Sequence, residues 1–143
     1  MSWSHRVTQL DGRPAQIFID DGYRGRAPVP ELPRLTWFGV YTRLDPGGAF
    51  WHPDETARLN ALENDLIRLC GQFGRGWAVY VLRIATRGIR EYFVYCGATN
   101  NLEVVLPSLK AAYPEYRLEY DEMMDEEWKR YISCLPDESA QST

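Results

Sequence analysis

The chain has 143 residues, 45% of them apolar, and a formal net charge of −4, which predicts one soluble globular domain with its own core. No stretch approaches the roughly 20 apolar residues of a membrane span, so no membrane association is predicted. Residues 1–113 carry 13 Lys and Arg against 11 Asp and Glu, whereas residues 114–143 carry 3 against 9. This split disfavours a nucleic-acid partner and favours a basic protein as partner.

The three cysteines predict a reducing compartment. Cys70, Cys96 and Cys134 are far apart and odd in number, which argues against a disulfide framework. We interpret them as small apolar core residues. The first residues, MSWSHRVTQLDGR, contain no apolar run and predict no signal peptide. The expected location is the cytoplasm.

The N-terminal half predicts three strands and one helix. Strands at 3–10 and 14–20 flank Asp11-Gly12, a hairpin turn signal, and a loop rich in proline and glycine follows at 21–34. The β-branched and aromatic run at 35–42 predicts a buried strand. A helix is expected to begin at Pro53. Its inward face carries Leu59, Leu62, Leu66, Leu69 and Phe73, and it is expected to stop at Gly71, Gly74 and Gly76.

The C-terminal half predicts a hairpin, a helix and a last strand. Strands 77–85 and 90–96 bracket Thr86-Arg87-Gly88, and both are apolar enough to be central. A second helix follows Asn100 and is kinked or delayed by Pro107. Its inward residues are Leu102, Val105, Leu106, Leu109 and either Ala112 or Tyr113. Strand 116–122 alternates, with Tyr116, Leu118 and Tyr120 facing the core. Residues 136–143 are predicted to be a disordered tail.

This order of elements predicts an α+β fold, a single domain over residues 1–135. From residue 35 onward the order is β-α-β-β-α-β, which is typical of a ferredoxin-like sandwich. In that topology the strand at 116–122 pairs beside the strand at 35–42, and both helices cover one face. The hairpin and loop at 1–34 would extend the sheet of the 35–135 core or cap its open face.

Four segments carry a family resemblance. They are DGRPAQIFID near the start, the acidic helix Leu59 to Leu66, the run Arg90 to Tyr95, and the acidic-Trp-x-x-Tyr end from Asp125 to Tyr131. In this order they resemble a bacterial family known as domain of unknown function 695. Glu127 directly before Trp128 departs from the Asp-x-x or Asp-Pro-Glu-Trp that we expect there. The resemblance implies a fold and no catalytic residues. A looser likeness in size, acidity and tryptophan end is to small acidic inhibitors of ribonuclease E.

The acidic C-terminal end is the candidate site. We interpret it as a surface that binds a basic protein, so that the chain acts as a regulatory or inhibitory module. Its predicted residues are Glu119, Asp121, Glu122, Asp125, Glu126, Glu127 and Trp128. The alternative is a solvated helix start. Trp128 and Tyr131 share one helical face and are also expected to pin this end to the core. The acids lack the spacing and central glycine of a calcium loop, so no metal is predicted.

An enzyme is the competing class. The chain has only two histidines, His5 and His52, and no nucleophile or metal motif includes them. A hydrolase or metal-dependent site could still assemble from His52, the C-terminal acids and the thiol of Cys96 or Cys134. Without a motif we predict neither an enzyme nor a cofactor.

Three further readings concern the central hairpin and the sheet edges. The aromatic run at 90–96 has a likeness to RNA-binding strands, but it lacks their small residues. Arg83, Arg87 and Arg90 are expected to form a solvated tip rather than to meet an anionic ligand or the acids of the chain. The chain is a monomer or a homodimer, and dimerisation would use an exposed edge at 77–85 or 116–122.

Overall fold

The structure is a computed structural model that describes residues 2–137, in which six strands form a single sheet. Within this range the strands are β1 (Trp3–Leu10), β2 (Arg13–Asp20), β3 (Arg34–Tyr41), β4 (Ala78–Thr86), β5 (Ile89–Cys96) and β6 (Arg117–Met124). The helices are α1 (Thr56–Gly74), α2 (Val105–Ala112) and α3 (Lys129–Cys134). Short 3₁₀ turns at Pro53–Glu55 and Leu102–Val104 precede α1 and α2.

The sheet has the order β1-β2-β4-β5-β3-β6, and every neighbouring pair is antiparallel. The predicted mixture of helices and strands is confirmed, as is the pairing of β6 with β3. The N-terminal hairpin extends the sheet because β2 pairs with β4. The prediction that residues 77–85 form an exposed edge is therefore wrong, since β4 lies between β2 and β5.

The first hairpin shows why its turn signal is reliable. Asp11 and Gly12 have φ values of 51° and 79°, the left-handed backbone that a two-residue type I′ turn requires. Glycine adopts this region without steric cost, and aspartate tolerates it better than most residues. The turn fixes the register at Leu10 opposite Arg13, and therefore which residues of β2 face each side.

Helices α1 and α2 cover one side of the sheet, which we call the helix face. Leu59, Leu62 and Leu66 of α1 pack with Phe38 of β3 and Tyr92 of β5 in one buried cluster. Full burial of each such side chain contributes about 1.5–3 kcal/mol. This cluster fixes the position of α1 above β3, β4 and β5.

The predicted inward face of α1 is wrong at Phe73. Its side chain is 40% exposed, and the helix ends later than Gly71, at Gly74. With 3.6 residues per turn, the inward line that passes through Leu66 continues to Cys70 and Gly74, and both are buried. Gly74 meets Ala78 so closely that an added Cβ would lie 2.4 Å from the Ala78 Cβ. In α2 the exposed Ala112 leaves the inward position to Tyr113.

The opposite side of the sheet, which we call the groove face, has a second buried cluster. Ile17 and Ile19 of β2 and Leu82 of β4 pack there with Trp128, Tyr131 and Cys134 from the C-terminal segment. Leu32 joins them from the loop between β2 and β3. The cover consists of one short helix and one loop, so it closes only part of this face.

Part of the predicted C-terminal tail contacts the rest of the protein. Of the predicted tail at 136–143, residues 138–143 lie outside the described residues, and Pro136 accepts a hydrogen bond from the Arg24 guanidinium. Among residues 2–137, no helix is both long enough and apolar enough to cross a bilayer.

Candidate functional site

A groove of about 960 Å³ lies on the groove face, beside the part that α3 covers. Its floor is formed by Leu35 and Trp37 of β3 and by Phe93 of β5. Met123 on β6 and Arg130 on α3 stand on opposite sides of it. Concave, largely apolar sites of this size are where proteins usually take ligands and extended segments.

Trp37 is held in a fixed position on this floor. Its indole lies across Gly39, where an added Cβ would stand 2.5 Å from the Trp37 Cη2 atom. The indole Nε1 donates a hydrogen bond to Glu91 Oε1 at 3.0 Å. Because Gly39 makes the room and Glu91 fixes the rotation, the ring is half-buried and presents an ordered apolar surface.

Trp128 closes the other end of the groove face and is a core residue. Its side chain is 0% exposed, and its ring stacks on Tyr95 with the centroids 4.0 Å apart. The indole Nε1 donates to the Leu32 carbonyl oxygen at 2.8 Å. Nearby, the Tyr131 hydroxyl donates to the Asp20 carbonyl oxygen at 2.6 Å. The prediction that Trp128 and Tyr131 pin this end to the core is confirmed.

This burial corrects one residue of the predicted binding surface. A partner cannot touch the Trp128 indole while Tyr95 covers its face and Leu32 takes its N–H. The tryptophan ring that the groove does offer is Trp37. The function of Trp128 is to hold α3 and the acidic loop at 125–127 against the sheet.

Three of the six predicted acidic residues are bound inside the protein. Glu119 accepts from the Tyr41 hydroxyl at 2.6 Å and from Arg117 at 2.8 Å. Glu122 accepts hydrogen bonds from Arg34 and Tyr120 on the helix face. Asp125 accepts from the Tyr95 hydroxyl and from the backbone N–H groups of Lys129 and Arg130, which begin α3.

These contacts set the ionisation of the groups involved. The hydrogen bond from Tyr41, together with that from Arg117, lowers the pKa of Glu119. Burial, reinforced by the Asp125 carboxylate, raises the pKa of the Tyr95 hydroxyl. At neutral pH the carboxyl of Glu119 is therefore charged and the hydroxyl of Tyr95 is protonated.

The other three acids form the rim of the groove. Asp121, Glu126 and Glu127 are exposed and line it. Asp121 accepts a hydrogen bond from the adjacent Glu122 N–H at 2.8 Å, and Glu127 lies 3.4 Å from Lys129. The exposed ion pair of Glu127 contributes little because water screens it. The predicted acidic surface thus reduces to three carboxylates beside an apolar floor, which we call the acidic rim.

The family model described as a family of unknown function (DUF695) matches residues 1–135. The chain belongs to this family. No curated protein and no solved structure matches the chain significantly. The likeness to inhibitors of ribonuclease E has no counterpart in these comparisons.

Apolar groove residues are the part of the site that sequence reasoning missed. Met123 and Met124 are 62% and 51% exposed. The alternation of β6 places Arg117, Glu119 and Asp121 toward water, and by the same period Met123 shares their side of the strand. An apolar side chain at a water-facing position was the available signal.

The residues proposed for an enzyme do not form a reactive pair. His52 uses Nδ1 to accept the Asp54 N–H at 3.0 Å. Cys96 is buried in the helix-face cluster and Cys134 in the groove-face cluster, and burial raises the pKa of both thiols. Buried thiols of raised pKa are poor nucleophiles. Within residues 2–137, no group of three or more His, Cys, Asp or Glu could hold a metal ion.

The aromatic side chains of β5 are buried in the core rather than exposed to a ligand. Tyr92, Phe93 and Tyr95 are buried, whereas a nucleobase must reach the face of an aromatic ring to stack on it. The Phe93 ring is further covered by the Arg130 guanidinium, 5.0 Å from its centroid. This arrangement disfavours an RNA-binding platform on β5.

The expected solvated arginine tip is wrong for two of its three members. Arg90 is 1% exposed and Arg83 is largely buried, and both contact the Glu63 carboxylate of α1. Both side chains lie under α1 and not at the hairpin turn. Only Arg87 is exposed as predicted.

Proposed function

We propose that this chain is a regulatory or inhibitory binding module, and that its groove takes an extended basic segment of a partner protein. The observation that carries the proposal is the apolar surface of the half-buried Trp37 on the groove floor and of the exposed Met123 beside it, bordered by the acidic rim. The groove lining includes the three acids of the rim and the internally bound Glu122 and Asp125. Within residues 2–137, Lys129 and Arg130 are the cations that line it. A segment with alternating basic and apolar residues complements both features.

The sheet edge favours an extended partner. β6 is the last strand in the order, and its outer edge pairs with no strand within residues 2–137. Such an edge offers a row of N–H and C=O groups to which a peptide can add as another strand. The main chain would then supply affinity, and the groove would select apolar side chains.

Electrostatics would govern the association rate more than the final affinity. An acidic patch attracts basic segments over about 10 Å at 0.1 M salt, and this range shrinks as salt rises. Rim charges therefore change the rate of association and its salt dependence. A module of this kind suits the neutralisation of proteins whose own functional surfaces are basic.

The test is a titration of the ¹⁵N-labelled protein with a short peptide that alternates Lys and Val. We expect shifts of the Trp37 indole N–H and of β6 amides, and weaker binding as NaCl rises from about 0.05 to about 0.5 M. A peptide that alternates Glu and Val has the same apolar content and should not bind. Equal binding of both peptides would overturn the proposal.

A matched pair of variants locates the interaction. Met123→Ser removes an apolar contact from the groove, whereas Ile132→Ser removes a comparably exposed apolar side chain from α3 outside it. Only the first is expected to weaken binding of the Lys-Val peptide, by roughly tenfold per 1.4 kcal/mol lost. If both variants bind alike, the peptide lies elsewhere.

We also propose a ferredoxin-like core and a cytoplasmic location for this chain. The order β4-β5-β3-β6, with α1 and α2 packed on one face, supports a ferredoxin-like core extended by the N-terminal hairpin. The three cysteines are buried as thiols without a disulfide, which supports a cytoplasmic location. In that compartment a protein partner is available without any membrane step.

A further inference from the structure

A buried charge cluster lies under α1, on the side of the sheet away from the groove. Glu63 Oε1 is 2.7 Å from Arg83 Nη1 and 3.4 Å from Arg90 Nη1. Arg90 also lies over the Trp51 ring, with its guanidinium 4.0 Å from the ring centroid. Two buried cations share one carboxylate, so the cluster has an excess of positive charge, which is costly in a low-dielectric interior.

The same cluster contains four buried donor atoms without an acceptor. Within residues 2–137, the hydroxyls of Tyr80 and Tyr92 and the Nε atoms of Arg83 and Arg90 have no hydrogen-bond partner. Burial raises the pKa of Tyr92 to about 12 and that of Tyr80 well above 10.0. Both hydroxyls are therefore protonated and able to donate. Native proteins rarely leave several such groups unsatisfied in one place.

A cavity of about 530 Å³ adjoins this cluster. Tyr80 and Glu63 belong to both, and Phe18 lines the cavity while its ring faces the Arg83 guanidinium at 5.0 Å. Trp3 stacks on Phe18 with the ring centroids 4.6 Å apart. Ile67 and Val79 complete an apolar wall.

The cavity lining also includes a second carboxylate and a cation. The Asp20 Oδ1 accepts the N–H groups of Ser2 and Gly22. Arg26 lies over the Tyr23 ring at 4.7 Å. This carboxylate is satisfied by backbone donors, whereas the Tyr80 hydroxyl, which lines the same cavity, has no partner within residues 2–137.

We propose that this cavity binds a small organic acid with an apolar or aromatic body. Its carboxylate would accept from the Tyr80 hydroxyl, the unpartnered donor that lines the cavity, next to the charge cluster of the two arginines. Its body would lie against Trp3, Phe18 and Ile67. A cationic ligand would add to the positive excess, and a neutral ligand would leave that excess in place. A carboxylate satisfies the Tyr80 donor and balances the charge together.

Benzoate is the probe, and benzamide is its neutral counterpart of the same shape. We expect benzoate to raise the melting temperature, and the rise should grow with the logarithm of benzoate concentration once that concentration exceeds the dissociation constant. In spectra of the ¹⁵N-labelled protein it should shift the Trp3 indole N–H. Benzamide and inorganic phosphate should do neither, because one lacks the charge and the other the apolar body. Absence of benzoate binding at millimolar concentration overturns the proposal, and so does equal binding of benzamide or binding of phosphate alone.

Tyr80→Phe is the decisive variant, because it removes only a hydroxyl that has no partner in the protein. The variant should fold with unchanged or higher stability, and it should bind benzoate about tenfold more weakly, the effect of one hydrogen bond to a charged group. Tyr113→Phe is the control, since its hydroxyl donates to Asp65 away from the cavity. It should lose stability and keep benzoate affinity. Unchanged affinity in Tyr80→Phe would overturn the assignment.

Discussion

The two faces of the sheet are closed by different means, and the difference places the candidate site. On the helix face, α1 and α2 lie over the sheet and their inward residues are almost completely buried. On the groove face, the short helix α3 and one loop cover part of the sheet and leave Trp37 half-buried. The face with the smaller cover is the one that retains the apolar groove.

The acidic residues of the C-terminal end show the same division on a smaller scale. Glu119, Glu122 and Asp125 connect parts of the fold. Asp121, Glu126 and Glu127 are exposed at the groove. Charge counted along the sequence treats these residues as one patch, whereas their contacts separate structural groups from groups that a partner can reach.

Trp128→Ala should have the largest effect, because it removes a fully buried ring and its hydrogen bond. We expect a loss of about 3–5 kcal/mol in the free energy of unfolding, measured by urea denaturation. Leu62→Ala on the helix face should cost about 2–5 kcal/mol. Phe73→Ala, on an exposed side chain, is the control and should change little. A loss below about 1 kcal/mol for Trp128→Ala would show that this cover is not part of the core.

Local sequence patterns predicted individual elements of the fold, but they could not predict contacts between elements that are distant in the chain. The leucine period of α1 and the Asp11-Gly12 turn are local signals, and both elements form where predicted. Arg83 and Arg90 were misplaced because their partner, Glu63, lies on another element. No local pattern joins a helix residue to two strand residues before the sheet order is known.

The groove could not be predicted because it exists only where α3 leaves part of β3 uncovered. Trp37 and Phe38 are adjacent in one apolar run and face opposite sides of the sheet. Phe38 is buried under the helices, whereas α3 leaves Trp37 half-buried on the groove floor. The acidic rim could be anticipated from charge alone, but the apolar floor beside it required the fold.

Glu55→Gln should produce a smaller effect than the two core variants, and a pH-dependent one. Desolvation opposes ionisation of this buried carboxyl, but the N–H groups of Leu44 and Arg43 outweigh it and lower the pKa of Glu55 below 4.5. Because the pKa of Glu55 is lower in the folded state, ionised Glu55 stabilises the fold at pH values above the unfolded-state pKa. This stabilisation is lost as the pH falls through the folded-state pKa. We expect a loss of about 2 kcal/mol at pH 7.

The pH series checks the sign of this effect. Wild type and Glu55→Gln should begin to converge in stability as the pH falls below about 4.5, where the unfolded carboxyl takes up a proton, and should meet below the lowered pKa of the folded carboxyl. Urea denaturation at several pH values measures the gap between them. A gap that stays constant with pH would show that the charge of Glu55 contributes nothing.

Gly39→Ala should have a smaller effect on stability and a large one on the groove. The new Cβ would overlap the Trp37 ring, an overpacking cost of about 1–3 kcal/mol. Replacing glycine in a strand returns about 0.5–1 kcal/mol of entropy. The net loss should be about 1 kcal/mol, with a displaced indole and weaker binding of the Lys-Val peptide. Unchanged Trp37 indole N–H shifts would contradict the role of Gly39.

The smallest effect on stability and the most direct test of the account come from one pair of variants. Asp121→Asn with Glu126→Gln removes two charges of the acidic rim. Glu115→Gln with Glu119→Gln removes two acids that bind Arg58 and Arg117 outside the groove. The net charge changes equally in both. The measurement is the affinity for the Lys-Val peptide at low salt, followed at the Trp37 indole N–H. We expect a several-fold loss of affinity in the rim variant alone, with its stability within about 0.5 kcal/mol of wild type. An equal loss in both variants would contradict it, because net charge rather than the groove would then attract the peptide.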